Sequence, residues 1–379
     1  MFRLLVLVVA IHLLIGWRLI PDLPFGTGVT VATILLLVFS AGAMPFGEFA
    51  RRNKHSPLSD HLAGAGFLAM GFFSSLLVLT LLREMVVLAG SAASLWLTGE
   101  AWLVQLRDWS ALAVPVLAVC LTFIGFINAR RRAAVRNVDI PIAGLPAALN
   151  GFSIVQISDV HVGATIKNGY VSRIVDAVNA LDADMIAVTG DLVDGSVQRL
   201  SSHTAPLGRL SARHGTFFVT GNHEYYSGAN AWIAEMRRLG LSVLLNEHVV
   251  LEHGGEAVVV AGVTDYSAHH FDPAQRSDPA AAIAGAPVRA GIRLLLAHQP
   301  RSAYDASRAG FDLQLSGHTH GGQFFPWNLL VKLIEPFAAG LHRLDKLWVY
   351  VSRGTGYWGP PKRFGAPSEI TRLRLVPAA

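Results

Sequence analysis

Twenty-two consecutive residues, His61–Leu82, contain no Asp, Glu, Lys or Arg. At about 1.5 Å per helical residue such a run reaches across the roughly 30 Å hydrocarbon core of a bilayer. Three further runs share the property. Leu4–Ile20 is apolar apart from His12 and Arg18, Leu23–Gly47 is uncharged, and Ala111–Asn128 is uncharged over 18 residues. Four membrane-spanning helices are therefore expected, over 4–20, 27–47, 61–82 and 111–128. The shorter apolar stretch Met85–Leu97 either extends the third helix past Arg83 and Glu84 or lies along the interface. Composition agrees. With 52% hydrophobic and only 15% charged residues, a disordered chain and an ordinary one-domain soluble enzyme are excluded. The single cysteine, Cys120, rules out an internal disulfide and a Cys-rich zinc fold. Pro21-Asp22-Leu23-Pro24 after the first run offers no small-x-small cleavage site, so a removed leader is not expected.

Basic residues orient the spans. Arg51, Arg52 and Lys54 lie in one loop, and Arg130, Arg131, Arg132 and Arg136 follow the last run. The positive-inside rule then places both termini and everything beyond the last span on the cytoplasmic side of the inner membrane. These loops also account for the net charge of +5. The basic residues further along are scattered, so nucleic acid is not expected as a partner.

Near residue 130 the chain changes character. The reading is an anchor over 1–129, a basic linker and lead-in strand over 130–144, and an α/β domain over 145–379. Short β-branched runs recur in that domain: Ser153–Ile157, Met185–Thr189, Thr216–Thr220, Ala257–Val263, Ile292–Ala297, Leu313–Leu315, Leu347–Ser352 and Ile370–Leu375. They predict buried strands. Val171, Ile174, Val175, Val178 and Leu181 fall at helical spacing, and Ala280–Ala290 reads as a surface loop.

Polar clusters stand where these strands stop. They are Ser158-Asp159-Val160-His161, Gly190-Asp191, Gly221-Asn222-His223-Glu224, His298 and Gly317-His318-Thr319-His320. Each alone is a common turn sequence. As an ordered set at strand ends, where open α/β sheets bind ligands, they form a site. Carboxylate and imidazole without thiolate suit Zn, Mn or Fe rather than Ca. Seven such ligands exceed one tetrahedral ion and fit two ions sharing a carboxylate.

This series resembles the calcineurin-like metallophosphoesterases, from about Leu145 onward. The runs Val155–Asp159, Val188–Gly195, His320-Gly321-Gly322-Gln323 and Val351–Gly354 look like its membrane-associated bacterial subgroup. Relatives in that subgroup cleave UDP-2,3-diacylglucosamine in lipid A synthesis. The resemblance implies a four-layer αββα sandwich and two metal ions, Mn, Fe or Zn. It implies that Asp159, His161 and His320 hold the first ion, that Asp191 bridges, and that Asn222, His298 and His318 hold the second. His223 would lie over the phosphate and protonate the leaving oxygen. A hydroxide between the ions would attack in line. Glu224 is a candidate to orient His223, and Arg353 a candidate phosphate or substrate contact.

The function expected on these grounds is a membrane-anchored hydrolase of a phosphate ester or pyrophosphate, on a lipid-linked substrate such as UDP-2,3-diacylglucosamine. Alternatives are a nucleotide or general phosphodiesterase or phosphatase, and a non-catalytic scaffold of the same fold. Scaffolds are expected to lose ligands or the acid, and none of the seven ligands nor His223 is missing here. A transporter would carry paired ionisable groups in its spans, and these spans carry almost none. The apolar segment Phe324–Leu344 is expected to act as a lid that takes acyl chains or dips into the interface, or to pack on the domain's own core.

Overall fold

The computed structural model describes residues 2–24, 26–53, 57–96 and 101–378. Contacts divide the chain into two units, 1–130 with 359–364, and 131–358 with 365–379.

The first unit holds α1 (Phe2–Leu19), α2 (Thr27–Asn53), α3 (Pro57–Ala93) and α4 (Ala101–Arg130). All four are long and apolar enough to cross a membrane. Ile15, Leu19, Leu37, Leu76, Val114 and Ala118 meet in a small core. Leu13, Phe39, Leu88 and Phe123 instead point outward and are mostly exposed. Outward-facing side chains of that kind, on helices that satisfy their own backbone, suit hydrocarbon rather than water. Met85–Ala93 continues α3 without a break, so the first of the two readings of that stretch holds; Leu97 lies outside the described residues. So do Lys54 and the side chains of Arg51 and Arg52.

Several polar groups described inside this unit are paired. His12 turns inward, with its ring nitrogens 2.8 Å from the Val8 carbonyl and 3.1 Å from Ser40 Oγ. Arg83 is buried and donates to Asp22, Glu84, Ser110 and the carbonyls of Arg18 and Arg107. The distant segment 359–364 also belongs here. Lys362 Nζ donates to the Gly71 carbonyl at 2.8 Å and to Ser75 Oγ at 2.5 Å, between α3 and α4. Gly125 leaves room for its stem, since a Cβ there would lie 2.6 Å from Lys362 Cγ.

The second unit runs β1 (Ala134–Ile142), β2 (Ser153–Ile157), α5 (Asn168–Asn179), β3 (Met185–Val188), α6 (Val197–Thr204), β4 (Thr216–Phe218), α7 (Asn222–Ser227), α8 (Ala229–Arg238) and β5 (Ser242–Val243). It continues with β6 (Glu247–His253), β7 (Glu256–Gly262), α9 (Pro279–Ile283), β8 (Ile292–Leu296), α10 (Ala303–Ala309), β9 (Leu313–Ser316), α11 (Trp327–Ile334), β10 (Gly340–Leu344), β11 (Leu347–Val351) and β12 (Glu369–Pro377). One sheet has the order β1-β12-β2-β3-β4-β5, the other β10-β11-β9-β8-β7-β6. Both are mixed, with β2 to β5 and β7, β8, β9, β11 running parallel to their neighbours in those blocks.

Strand alternation decides which sheet face meets which layer. Ile292, Leu294 and Leu296 of β8 join Ile154, Met185, Phe217 and Leu373 of the other sheet in one buried cluster. Leu295, between them, turns the other way and packs with Ala303 and Ala306 of α10. Val171, Ile174, Val175 and Val178 form the buried face of α5. The result is two sheets face to face with helices outside. All eight sequence-predicted strands are present. The sequence reading did not single out β5, β6 and β10. Ala280–Ala290, read as a loop, contains most of α9, whose N-terminus is capped by Asp278 Oδ1 accepting from Ala280 and Ala281.

Candidate metal centre

The polar clusters converge at the carboxyl ends of the parallel strands. Asp159 and His161 follow β2, Asp191 follows β3, Asn222 and His223 follow β4, His298 follows β8, and His318 and His320 follow β9. Two sets of ligand atoms draw together: Asp159, His161 and His320, and Asp191, His298 and His318. His161 Nε2 lies 3.0 Å from His320 Nε2, and His318 Nδ1 lies 3.2 Å from His298 Nε2. Asp191 Oδ2 stands between the sets, 3.2 Å from His298 Nε2 and 3.9 Å from His161 Nε2.

Reaching this geometry takes an unusual backbone. Asp159, His161, Asp191, His318 and His320 all have positive φ, between 51° and 71°. Each such non-glycine residue costs roughly 1–3 kcal/mol, a strain that tends to gather at functional sites. Two glycines keep the space clear. A Cβ on Gly317 would lie 2.2 Å from Asp159 Oδ2, and one on Gly221 would lie 2.3 Å from Asp191 Oδ1.

Hydrogen bonds behind the candidate ligands set their tautomers. His298 Nδ1–H donates to the Thr189 carbonyl at 2.7 Å, which turns Nε2 toward Asp191. His161 Nδ1 bonds Asp194 at 3.2 Å, which turns its Nε2 toward His320. Asp159 accepts the His318 backbone N–H at 3.0 Å, and Asp191 Oδ1 accepts that of His223 at 2.8 Å.

The donor set fits a pair of cations. Asn222 Oδ1 is buried with no protein partner, as a ligand oxygen would be. Burial and then the His298 charge lower the His318 imidazole to about 3, so its nitrogen lone pair is available. Asp159 is pushed up by burial against the pull of His298, with the Asp191 charge adding to the rise. Crowded carboxylates of this kind call for positive charge between them.

His223 stands beside this centre. Its Nδ1 lies 2.5 Å from Asp194 Oδ1, and its Nε2 is 4.0 Å from Asp191 Oδ2. Burial works against its protonation, yet the Asp194 hydrogen bond and the charges of Asp191, Asp194 and Glu224 lift the imidazole to about 9. The exposed rings of Tyr226 and Trp358 sit edge-on to it, at centroid distances of 5.2 and 6.0 Å.

Glu224 does not reach the His223 ring in the way the sequence reading weighed. It lies in α7 with its carboxylate turned back, accepting from the backbone of Asp191 at 2.9 Å, Leu192 at 2.7 Å and Gly221 at 2.7 Å. It is buried and holds the Asp191 turn. Asp194, which the sequence reading quoted but gave no role, is the residue that touches His223. The signal was its place three residues after Asp191 in Gly190–Gly195. Arg353 packs beside Gly321, where a Cβ would come within 3.1 Å of its Cγ, and its guanidinium contacts Glu369 at 3.2 Å.

Two mixed sheets with carboxylate and imidazole ligands at their strand ends define a metallophosphoesterase of the α/β class. The family model for calcineurin-like phosphoesterases matches residues 152–322. A transmembrane protein with a metallophosphoesterase domain from Danio rerio is 39% identical over 71% of this chain and 63% of its own length. An uncharacterized metallophosphoesterase of Helicobacter pylori is 40% identical over 67% of this chain and 66% of its own. One of Campylobacter jejuni is 35% identical over 70% of this chain and 69% of its own. The chain belongs to the calcineurin-like metallophosphoesterases, a family dependent on two metal ions. It spans slightly under two-thirds of the length of the first two of these relatives.

Proposed function

We propose that this chain is a membrane-anchored, metal-dependent hydrolase of phosphoric ester or pyrophosphate bonds, with its catalytic unit on the cytoplasmic side of the inner membrane. The observation that carries the reading is the pair of ligand sets meeting at Asp191, with His223 alongside. Asp159, His161 and His320 would hold one ion, Asn222, His298 and His318 the other, and Asp191 both. Bound there, manganese, iron or zinc supplies Lewis acidity toward water and toward the phosphoryl oxygens.

The rest falls to the chain's own groups. Asp194 fixes the His223 ring through Nδ1, which leaves Nε2–H to face the phosphate. Protonated at neutral pH, His223 donates that proton to the departing oxygen. Arg353, whose side chain lies beside Gly321, would meet a phosphate or substrate oxygen.

A lipid-linked substrate is the finer reading. Its support is a groove of about 260 Å³ in which Trp327, Leu330, Val331 and Ile334 of α11 face the ligand His318. An acyl chain laid there would set the phosphate of the same lipid toward His318. A nucleotide or general phosphodiesterase is the second reading, favoured by the flat exposed faces of Tyr226 and Trp358 beside His223.

The test uses the full chain in lipid nanodiscs, loaded with manganese. Turnover of p-nitrophenyl phosphate, bis-p-nitrophenyl phosphate and UDP-2,3-diacylglucosamine is compared, with Asp191→Asn and His223→Ala as controls. Turnover of the lipid nucleotide, lost in both variants, is expected. Turnover of the small esters alone would remove the lipid reading, and none on any substrate would favour the scaffold.

A further inference from the structure

The groove uses only one side of α11. Trp327, Leu330, Val331 and Ile334 recur at helical spacing and face His318. Leu329 and Leu333, one turn apart, point elsewhere and are 54% and 83% exposed. Trp327 and Ile334 also stay partly exposed, at 46% and 67%. An eight-residue helix with apolar side chains on nearly every side cannot bury them all against one domain. Such a surface, next to a ligand-bearing groove, marks an interaction site.

We propose that the outward face of α11, centred on Leu333 and Leu329, inserts into the headgroup and acyl boundary of the bilayer that holds the chain's own helices. Two features select lipid as the occupant. Four helices of this chain are long and apolar enough to span a membrane, so a bilayer is at hand at high local concentration. The polar atoms around the face are those of an interfacial helix. Lys332 is exposed between Val331 and Leu333, and Arg301 and Arg308 line the hollow beside Leu333 and Ile334. Arg301 pairs with Glu335 and Arg308 with Asp305, which leaves Lys332 as the cation added to the balanced rim. A lysine beside exposed leucines lets the apolar stem sit at the lipid boundary while the ammonium meets phosphate. The proposal deepens the lipid-linked reading, because a helix seated in the interface would open its inner groove to lipid from the membrane plane.

The measurement needs no turnover, so it stands or falls apart from the hydrolase reading. A nitroxide is placed on the full chain at Leu333→Cys, with Val288→Cys as an exposed control and Cys120→Ala in both. The protein is reconstituted in nanodiscs of mixed neutral and anionic phospholipid. Collision with oxygen, which concentrates in lipid, is compared with collision with a water-soluble nickel chelate. Residue 333 is expected to favour oxygen and residue 288 nickel. The same accessibility at both positions would overturn the proposal. So would protection of 333 from both reagents with dipolar broadening between labelled copies, which would mean that a second chain covers the face. A further variant, Leu329→Ser, is expected to raise nickel access at 333 while leaving the melting temperature unchanged. Unchanged nickel access in that variant would count against insertion through this face.

Discussion

Asp194 Oδ1 is 2.5 Å from Nδ1 of His223, and the same oxygen is 3.2 Å from Nδ1 of His161. One carboxylate thus orients both a candidate metal ligand and the candidate general acid. Asp194→Asn is expected to lower kcat by about 10–100-fold, the usual effect of removing a partner behind a ligand. His223→Gln should lower it by about 100–10,000-fold, and by less for p-nitrophenyl phosphate than for an alkyl ester, whose leaving oxygen needs the proton more. Metal content should hold in His223→Gln. An equal loss on both esters would remove His223 from proton transfer.

Glu224 leads to a different expectation. Its three backbone hydrogen bonds hold the turn that presents Asp191. In Glu224→Gln one oxygen becomes an NH2 group facing N–H donors. Metal affinity should fall about 10–100-fold, with kcat recovering at high metal concentration. Titration of manganese against activity checks this. A fall in kcat that excess metal does not rescue would point instead to a direct role in the reaction.

Gly317→Ala tests the steric claim. The new Cβ would stand 2.0 Å from Ser158 Oγ and 2.2 Å from Asp159 Oδ2. Since the neighbours are buried, Asp159 must move, and the purified variant should hold substantially less metal by elemental analysis. Retention of two ions per chain would show that the turn can relax.

Away from the centre, His214 Nε2 lies 3.1 Å from His253 Nδ1. Burial, then the nearby His253 and Arg213, lower the His214 imidazole below its ordinary value, against the pull of Asp184. The unfolded chain therefore takes up this proton at a higher pH than the folded one. The linked stability is present above a pH of about 6.5 and is lost as pH falls toward the folded value. His214→Asn should flatten the drop in melting temperature between about pH 7 and pH 5. The same drop in variant and wild type would place the acid sensitivity elsewhere.

Much of this arrangement was legible in the sequence because it is local. A strand such as Ile292–Leu296 announces itself by its own β-branched and aliphatic run, and a candidate ligand such as Asp159 by following one. The four helices were legible because an uncharged run of such length has few other uses. What escaped depends on contacts distant in sequence. Nothing near Asp194 says that it will meet both His161 and His223. The sequence pairs Glu224 with its neighbour His223, whereas residues 222–227 are helical and its position at the third helical residue turns the carboxylate back onto Gly221. The strands β6 and β10 lie at sheet edges with half-exposed, polar-rich sequences, so they lack the buried run that marks the others.

The place of β12 bears on how the protein is made. It lies between β1 and β2, though it comes from residues 369–377, after every other described strand. Its Glu369 also accepts from the Arg353 backbone, and the loop between them donates from Gly356 to the Asp159 carbonyl. During synthesis, the four helices and every ligand emerge before the strand that closes the sheet beside Asp159. Every candidate ligand is thus made before the strand with which both β1 and β2 pair. A product cut short before residue 369 would carry all the ligands and lack the strand that holds β1 and β2 together.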